Sequence, residues 1–352
     1  MRLTLTFILL NLFFLACTED SDPIQPPLDK RMIVKKFAYD YSQNHYFVDS
    51  MYASRKPELN LFEKYYNNYN PVVEPQYRIK EIEVWKSAQG YINIQKEIRA
   101  NAFIDLPSKG AGHYPLDSPM RSLTQNEIPG QSVINGRFIR LESGIDYELN
   151  PYCGLISFIN DVGNDYQIAV SYRLDGEYGD DNDIYYGEFI SDLPTDTNYT
   201  VLLKLVKPKN LQPGFKRAWK NQLKNIYSIN SNNFSEKDFE VTLFYRAHPL
   251  ENSYLKSIND VSLIKMFGLD NFDENGERNP DNNFDFLPGK TILLGSGDII
   301  FPALEPFGSY LPTIFDETFR QNGIYEKSQS QASYSSNSRN FRIEVKYYPK
   351  IE

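Results

Sequence analysis

The sequence has few of the residues from which disulfide frameworks and metal centres are built. Its 352 residues include two cysteines, Cys17 and Cys153, and three histidines that lie far apart, His45, His113 and His248. Because Cys17 follows an export signal, as described below, only Cys153 remains as a free thiol, and we expect it to fill the core. The sequence therefore predicts neither a disulfide framework nor a histidine-rich metal site.

Motifs of the common catalytic families are also absent from the sequence. There is no G-x-S-x-G, no H-E-x-x-H, no P-loop and no glycine-rich dinucleotide fingerprint. Acidic residues are plentiful, 46 against 37 basic ones, so a glycosidase-like pair of carboxylates stays open. The resulting net charge of −9 disfavours a general nucleic-acid binder. We predict a protein that is not an enzyme and binds no nucleic acid.

The N-terminus has the pattern of an export signal. Residues 1–16 carry one cation, followed by an apolar run that is too short for a transmembrane helix. Ala16 precedes Cys17 as a small residue precedes the lipid-modified cysteine of bacterial lipoproteins, while Phe14 and Leu15 depart from the usual pattern. We predict a signal peptide over 1–16 and lipid attachment at Cys17. An ordinary secretory signal is the alternative.

The stretch after the signal has no clear periodicity. Its first part is polar and rich in proline, which predicts an extended tether, and residues 31–77 are rich in Tyr and Asn without a recognisable pattern. We therefore divide the chain into a lipid-anchored tether and unassigned linker over 17–77 and a β-rich module over 78–352.

From residue 78 onward, short alternating strands dominate the sequence. "DYQIAVSYRL", "DFEVTLFYR" and "NFRIEVKYY" each alternate apolar and polar residues, and turn-rich pieces separate them. Helical spacing of apolar residues occurs near 213–227 and, more briefly, near 260–267, where Gly268 would end the helix. The predicted class is mainly β: antiparallel sheets in a sandwich-like module, with two β subdomains as an option, and two minor helices.

The first candidate site is an acidic stretch, "DNFDENGERNPDNNFD", over 270–285. Oxygen ligands at alternate positions around a glycine are typical of calcium loops. The loop template expects Asp first and Glu at its twelfth position, where this chain has Asn271 and Asn282. The alternative is a solvated turn, in which Asn, Gly and Pro serve the backbone. Structural calcium is the one candidate cofactor. Its candidate ligands are Asp270, Asp273, Asn275, Asp281 and Asp285.

The second candidate site is a cationic helix face. Its members, all within the predicted helix near 213–227, are Lys216, Arg217, Lys220 and Lys224. This face could meet lipid headgroups or an acidic partner, and a solvated surface is the alternative.

The order of several motifs resembles the amino-terminal repeat module of the SprA family. That family consists of very large outer-membrane proteins linked to gliding motility and type IX secretion in Bacteroidetes-type bacteria. The similarity runs over about 78–348. The motifs that carry it are, in order, "IEVWK", "ANAFIDLP", "SGIDYELNPYCGLISFIN", "AVSYRLDG", "YYGEFISD", "LLKLVKP", "LKNIYSI", "FGLDNFDENGERNPDNNFDFLPG" and "GDIIFPALEPFGSYL".

The resemblance implies a fold and a location more directly than it implies a function. Family members carry more than one module and a large barrel, whereas this chain has one module. The resemblance marks a proline-rich corner as a structural signature, in which Leu304 and Phe307 fill the core. The residues of this corner are Pro302, Glu305, Pro306, Phe307 and Gly308. Pro302 cannot donate a ladder hydrogen bond, so it ends the strand or confines it to an edge.

Two functions from different classes fit these features. The first is a non-enzymatic outer-membrane lipoprotein, facing the periplasm or the cell surface, that contacts outer-membrane or secretion-apparatus proteins. The resemblance associates it with type IX secretion or gliding motility. The second is a surface adhesin or glycan-binding lipoprotein, with which an aromatic-rich β scaffold is compatible. Selective binding on a glycan array would separate the second function from the first.

Overall fold

The computed structural model describes residues 30–90, 97–110, 114–123, 133–176, 182–193, 199–247, 250–252, 254–255, 261–273 and 275–350. Short strands and a few short helices make up the fold, and most of the strand pairs are antiparallel. The predicted mainly β class is therefore confirmed. No helix within these ranges combines the length and apolar character that crossing a bilayer requires.

The strands, in chain order, are β1 Met32–Phe37, β2 His45–Phe47, β3 Ile79–Ser87, β4 Glu97–Phe103, β5 Val133–Arg140, β6 Tyr147–Asn150, β7 Leu155–Phe158, β8 Ile168–Leu174, β9 Ile184–Tyr186, β10 Val201–Lys207, β11 Ile226–Ser228, β12 Glu240–Ala247, β13 Leu250–Asn252, β14 Tyr254–Leu255, β15 Val261–Ser262, β16 Ile292–Leu293, β17 Asp298–Ile300 and β18 Phe341–Tyr347. The α-helices are α1 Leu61–Tyr66, α2 Lys216–Asn221, α3 Leu263–Met266, α4 Gly323–Glu326 and α5 Gln329–Ser333. The named 3-10 turns are Ser50–Ala53, Pro57–Leu59, Pro75–Tyr77, Pro119–Arg121, Ile190–Asp192 and Glu317–Phe319.

The largest sheet has the order β10-β4-β5-β3-β8-β9 and curls into a partly closed barrel, because β10 also pairs with β8. The pairing of β10 with β4 is parallel, and its pairing with β8 is antiparallel. In β8, Ala169 faces the barrel interior while Val170 packs into a second cluster outside it. Both faces of β8 are therefore buried, including Ser171, which the alternation placed on a polar face.

A second sheet of order β1-β18-β12-β13 covers the other main core. Its central strands β12 and β18 show the predicted alternation and pair with Val241 opposite Val345. The edge strand β1 pairs with β18, with Val34 opposite Val345. Residues 32–37 thus belong to this sheet, although the sequence pattern assigned them no structure.

Two further sheets have three strands each, in the orders β2-β7-β6 and β11-β17-β16. The core residues of the first sheet belong to the cluster outside the barrel, whereas the second sheet contributes to both main cores. The strand β17 begins the motif "DIIFPALEPFGS". Its Ile299 and the following Phe301 belong to the core under the β12–β18 sheet, whereas Ile300 belongs to the cluster outside the barrel. The alternation of a β-strand therefore makes this motif contribute to both cores.

The helix predicted near 213–227 is shorter than expected. It runs from Lys216 to Asn221, after which Leu223 N–H donates to His45 O and Ile226 pairs with Ile300 in β11 and β17. Tertiary pairing with β2 and β17 satisfies the backbone here, so the local helical period does not decide the structure. The second helix, Leu263–Met266, lies within the predicted 260–267, and Gly268 follows it at φ +77°.

Candidate functional site

A cleft with a volume of about 1070 Å³ lies beside the proline-rich corner. Three pieces of chain build most of its walls: the segment around the Ser50–Ala53 turn, the end of α2, and the corner itself through Leu304 and Glu305. Tyr77 and Tyr325 complete the lining. Its lining combines apolar and aromatic side chains with cations. The lining residues include Phe47, Met51, Ala53, Arg55, Lys56, Tyr77, Trp219, Lys220, Leu223, Lys224, Leu304, Glu305 and Tyr325.

The first wall is held by a buried charged cluster at its base. Asp49 caps the Ser50–Ala53 turn by accepting a hydrogen bond from Met51 N–H at 3.1 Å. Its second carboxylate oxygen accepts from Tyr172 Oη at 3.0 Å and lies 2.7 Å from Lys204 Nζ. Tyr172 and Lys204 belong to barrel strands β8 and β10, so this wall of the cleft is fixed to the barrel.

The second wall is formed by α2 and the residues that follow it. Trp219 donates its indole N–H to Tyr325 O at 2.6 Å, which orients the ring. The Lys224 ammonium lies 4.2 Å from the centre of the Trp219 ring and donates to Trp219 O at 2.8 Å and to Gln222 O at 2.9 Å. Burial lowers the pKa of Lys224 to about 7, while the charge of Glu305 opposes this shift.

The third wall is the corner, with Glu305 as its polar group. The Glu305 side chain is 7% exposed and accepts hydrogen bonds from the Arg55 guanidinium and, at 2.6 Å, from Ser309 Oγ. Its backbone carbonyl accepts from Gly308 N–H at 3.0 Å and Tyr310 N–H at 3.1 Å, which closes the turn. Arg55 comes from the first wall, so this ion pair links two walls of the cleft.

The charge of the cleft is opposite in sign to that of the whole chain. Among the described residues that line it, Arg55, Lys56 and Lys220 carry positive charge, the pKa of Lys224 is lowered to about 7, and Glu305 carries the one negative charge. The chain as a whole has a net charge of −9. Lys56 and Lys220 are exposed at the cleft, so their charges are available to a ligand. An apolar cleft with a cationic rim suits a ligand that has both acidic and apolar groups.

The four cations predicted from the helical pattern do not share one environment. Lys220 and Lys224 line the cleft, while Arg217 forms an ion pair with Asp105. Lys216 is exposed at the start of α2. Lys224 lies beyond the end of the helix and is buried rather than solvated.

In the described residues of the acidic stretch over 270–285, which forms a turn, the carboxylates accept hydrogen bonds from backbone N–H groups. Asp270 accepts from Asp281 N–H and Asn282 N–H, both at 3.0 Å. Asp285 accepts from Asn271 N–H at 2.7 Å and from Phe272 N–H at 3.0 Å. Burial raises the pKa of Asp285 to about 6, although these hydrogen bonds oppose the shift.

The exposed part of the same turn follows this pattern. Asp273 accepts from Asn275 N–H at 2.9 Å and Glu277 N–H at 3.0 Å, and Asp281 accepts from Asn283 N–H at 2.8 Å. Within the described part of the chain, no group of three or more His, Cys, Asp or Glu side chains is arranged to hold a metal ion. The geometry matches the turn interpretation, in which these side chains serve the backbone.

The corner residues are buried, as predicted for a core junction. Phe307 is fully buried, with its ring centre 5.1 Å from those of Phe267 and Phe341, and Leu304 is 9% exposed. A Cβ atom added at Gly268 would lie 2.7 Å from Pro302 Cγ, so the ring of Pro302 packs directly on that glycine. The predicted burial of Leu304 and Phe307 is confirmed, while the place of Glu305 in a cleft was not anticipated.

Sequence reasoning also missed a buried Ser-His-Asp arrangement. His45 Nδ1 lies 2.9 Å from Ser157 Oγ, and His45 Nε2 lies 2.9 Å from Asp298 Oδ2. Such a triad can activate a serine nucleophile, but here His45 is 0% exposed, and none of the three lines the cleft described above. The arrangement instead joins strands β2, β7 and β17. No local sequence motif indicates this arrangement, because its three residues are far apart in the sequence.

Two further predictions concern cysteine and histidine. Cys153 is buried, and burial raises its thiol pKa, which fits the predicted core position. Cys17 and the signal over 1–16 lie outside the described residues, as do His113 and His248. In comparisons with known proteins, no family model matches the chain, and no curated protein matches it.

Proposed function

We propose that this protein is a non-enzymatic lipoprotein of the cell envelope, anchored through Cys17, that binds another protein of an outer-membrane secretion or motility apparatus. The cleft beside the corner is the proposed contact site. One observation carries the proposal: a motif on which the resemblance to the SprA module depends, "IIFPALEPFGS" over 299–309, supplies a wall of the cleft through Leu304 and Glu305.

The lining of the cleft favours a polypeptide ligand. Aromatic residues and Arg, which are enriched at protein interfaces, are present as Trp219, Tyr77 and Arg55. Non-enzymatic binding also fits the burial of His45, which leaves its triad-like arrangement without access to a substrate.

The association with type IX secretion or gliding rests on the order of motifs, and the outer-membrane location rests on Cys17. Affinity purification from native membranes after gentle crosslinking tests both. We expect outer-membrane or secretion-apparatus proteins to be recovered with the full-length protein. A Cys17→Ala variant should lose its membrane association. Recovery of the protein alone, under conditions that retain known envelope complexes, would contradict the proposal.

A glycan-binding adhesin is the second candidate, and the aromatic lining of the cleft favours it. Phe47, Tyr77 and Trp219 all contribute to the lining, and aromatic faces are common sugar-stacking surfaces. A glycan array separates the two candidates. Selective binding to a sugar that is lost in a Tyr77→Ala variant would support the adhesin and count against the protein contact.

A further inference from the structure

We infer that the cleft binds an acidic segment of its partner protein, with carboxylates at the cationic rim and an apolar side chain inside. This inference deepens the proposed function and rests on it, because it names the chemistry of the partner. The occupant to which it commits is a peptide in which Asp or Glu alternates with large apolar residues.

The cationic rim of the cleft favours an acidic ligand. Lys56 and Lys220 come from two different walls and are both exposed. No ion pair of either lysine is found among the described residues, whereas the neighbouring Arg217 pairs with Asp105. Two exposed ammonium groups on a chain of net charge −9 form a local site that attracts anions and repels cationic segments.

The interior of the cleft favours a ligand that also has apolar groups. Met51 offers half-buried apolar surface, and the largely buried Leu223 and Leu304 also line the cleft. Large apolar side chains that enter such a surface provide most of the binding energy at protein interfaces. A simple inorganic anion would leave this surface uncovered, so the lining favours a ligand that joins carboxylates to apolar groups.

The ion pair between Arg55 and Glu305 neutralises the one negative charge among the described lining residues. The Arg55 guanidinium and Ser309 Oγ both donate hydrogen bonds to the Glu305 carboxylate. Glu305 therefore does not cancel the charges of Lys56 and Lys220. The exposed Lys56 and Lys220 therefore set the sign of the charge that a ligand meets in the cleft, which disfavours cationic ligands.

Fluorescence anisotropy with two synthetic peptides tests the inference. The first is a fluorescein-labelled decapeptide in which Glu alternates with Leu and Phe, and the second has Gln in place of each Glu. With the full-length protein in detergent, we expect the acidic peptide to bind at least tenfold more tightly than its neutral analogue at low salt. Raising the salt concentration should weaken only the acidic peptide, because exposed charges are screened. Equal affinities would overturn the inference.

Matched variants locate the binding site. Lys56→Ala combined with Lys220→Ala is expected to weaken acidic-peptide binding by roughly tenfold, since each exposed pair contributes modestly. Lys237→Ala combined with Lys265→Ala removes the same charge from exposed positions that do not line the cleft and should leave affinity unchanged. An equal loss in both double variants would overturn the inference. Ala53→Glu is a further variant, which adds a carboxylate to the cleft wall without removing a lysine and should also weaken binding.

Failure of this inference differs from failure of the proposed function. If crosslinking recovers a membrane partner but the acidic peptide shows no preference, the proposed function stands and the acidic chemistry is wrong. If the acidic peptide binds in the cleft but membranes yield no partner, the chemistry stands and the proposed function fails. Vesicles of phosphatidylglycerol serve as the competing anion. Vesicle binding that is lost with Lys56 and Lys220, without peptide binding, would overturn the inference in favour of lipid.

Discussion

The buried His45–Asp298 pair predicts a large and measurable contribution to stability. Both side chains are buried, and His45 Nε2 lies 2.9 Å from Asp298 Oδ2. Asp298 is a buried carboxylate, and breaking the contact that pairs such a group with its partner costs about 3–5 kcal/mol. We therefore expect His45→Ala and Asp298→Ala each to lower the free energy of unfolding by that amount. Ser157→Ala, which removes a neutral hydrogen bond to the same ring, should cost only about 1 kcal/mol.

A double-mutant cycle isolates the pair from the cavities that alanine creates. Urea unfolding, followed by circular dichroism at 25 °C, would be measured for the wild type, both single variants and the double variant. Because hydrogen bonds to charged groups contribute about 1.5–3 kcal/mol, we expect a coupling energy in that range. A coupling energy within about 0.5 kcal/mol of zero, which is the usual additivity of independent sites, would refute the reasoning.

The same pair makes the free energy of unfolding depend on pH. Burial opposes the ionisation of Asp298, but hydrogen bonds from His45 and Ser296 hold its pKa below the usual value. The ionised carboxylate therefore stabilises the folded state above the unfolded pKa of about 4. This contribution is lost as the pH falls through the lowered folded pKa. In Asp298→Ala, the acid-induced loss of stability should be smaller than in the wild type.

Three more predictions follow from the corner, the cleft and the acidic turn. Gly268→Ala should lower the free energy of unfolding by about 1–3 kcal/mol in urea titrations, because φ is +77° and the new Cβ meets Pro302; unchanged stability would contradict this. Burial lowers the pKa of Lys224 to about 7. Between about pH 7 and pH 10, the folded state therefore binds fewer protons than the unfolded chain, and the free energy of unfolding should rise with pH. Lys224→Met should flatten that rise, and an unchanged slope would count against the burial. Calcium should release no heat in titration calorimetry, because the turn's carboxylates accept backbone N–H groups; heat that disappears in an Asp273→Ala, Asp281→Ala double variant would show a calcium site.

The sequence predicts strands well where the chain alternates and one face meets solvent. Phe341, Ile343 and Val345 of β18 are buried as expected, since alternation decides which side chains face the core. The same reasoning fails for Ser171, because β8 lies between the barrel interior and a second cluster. The burial of both faces depends on the curl of the sheet, which no single strand encodes.

The candidate site was predicted only in part. Lys220 and Lys224 were singled out from their helical spacing, but their separation into exposed rim and buried interior depends on the early end of α2. Arg55 lies in a stretch without periodicity and reaches Glu305 only through the fold. Contacts between residues that are hundreds of positions apart leave no local pattern, so the cleft could not be predicted from spacing.

Site-specific photocrosslinking in living cells tests the central claim most directly. A photoreactive amino acid at Ala53, which lines the cleft, would be compared with the same group at Lys237, which does not. We predict that the cleft position captures an envelope protein through an acidic segment, identified by mass spectrometry, and that the control position does not. Capture at Lys237 alone, or at neither position while the protein remains folded in the envelope, would contradict the claim that this cleft binds a protein partner.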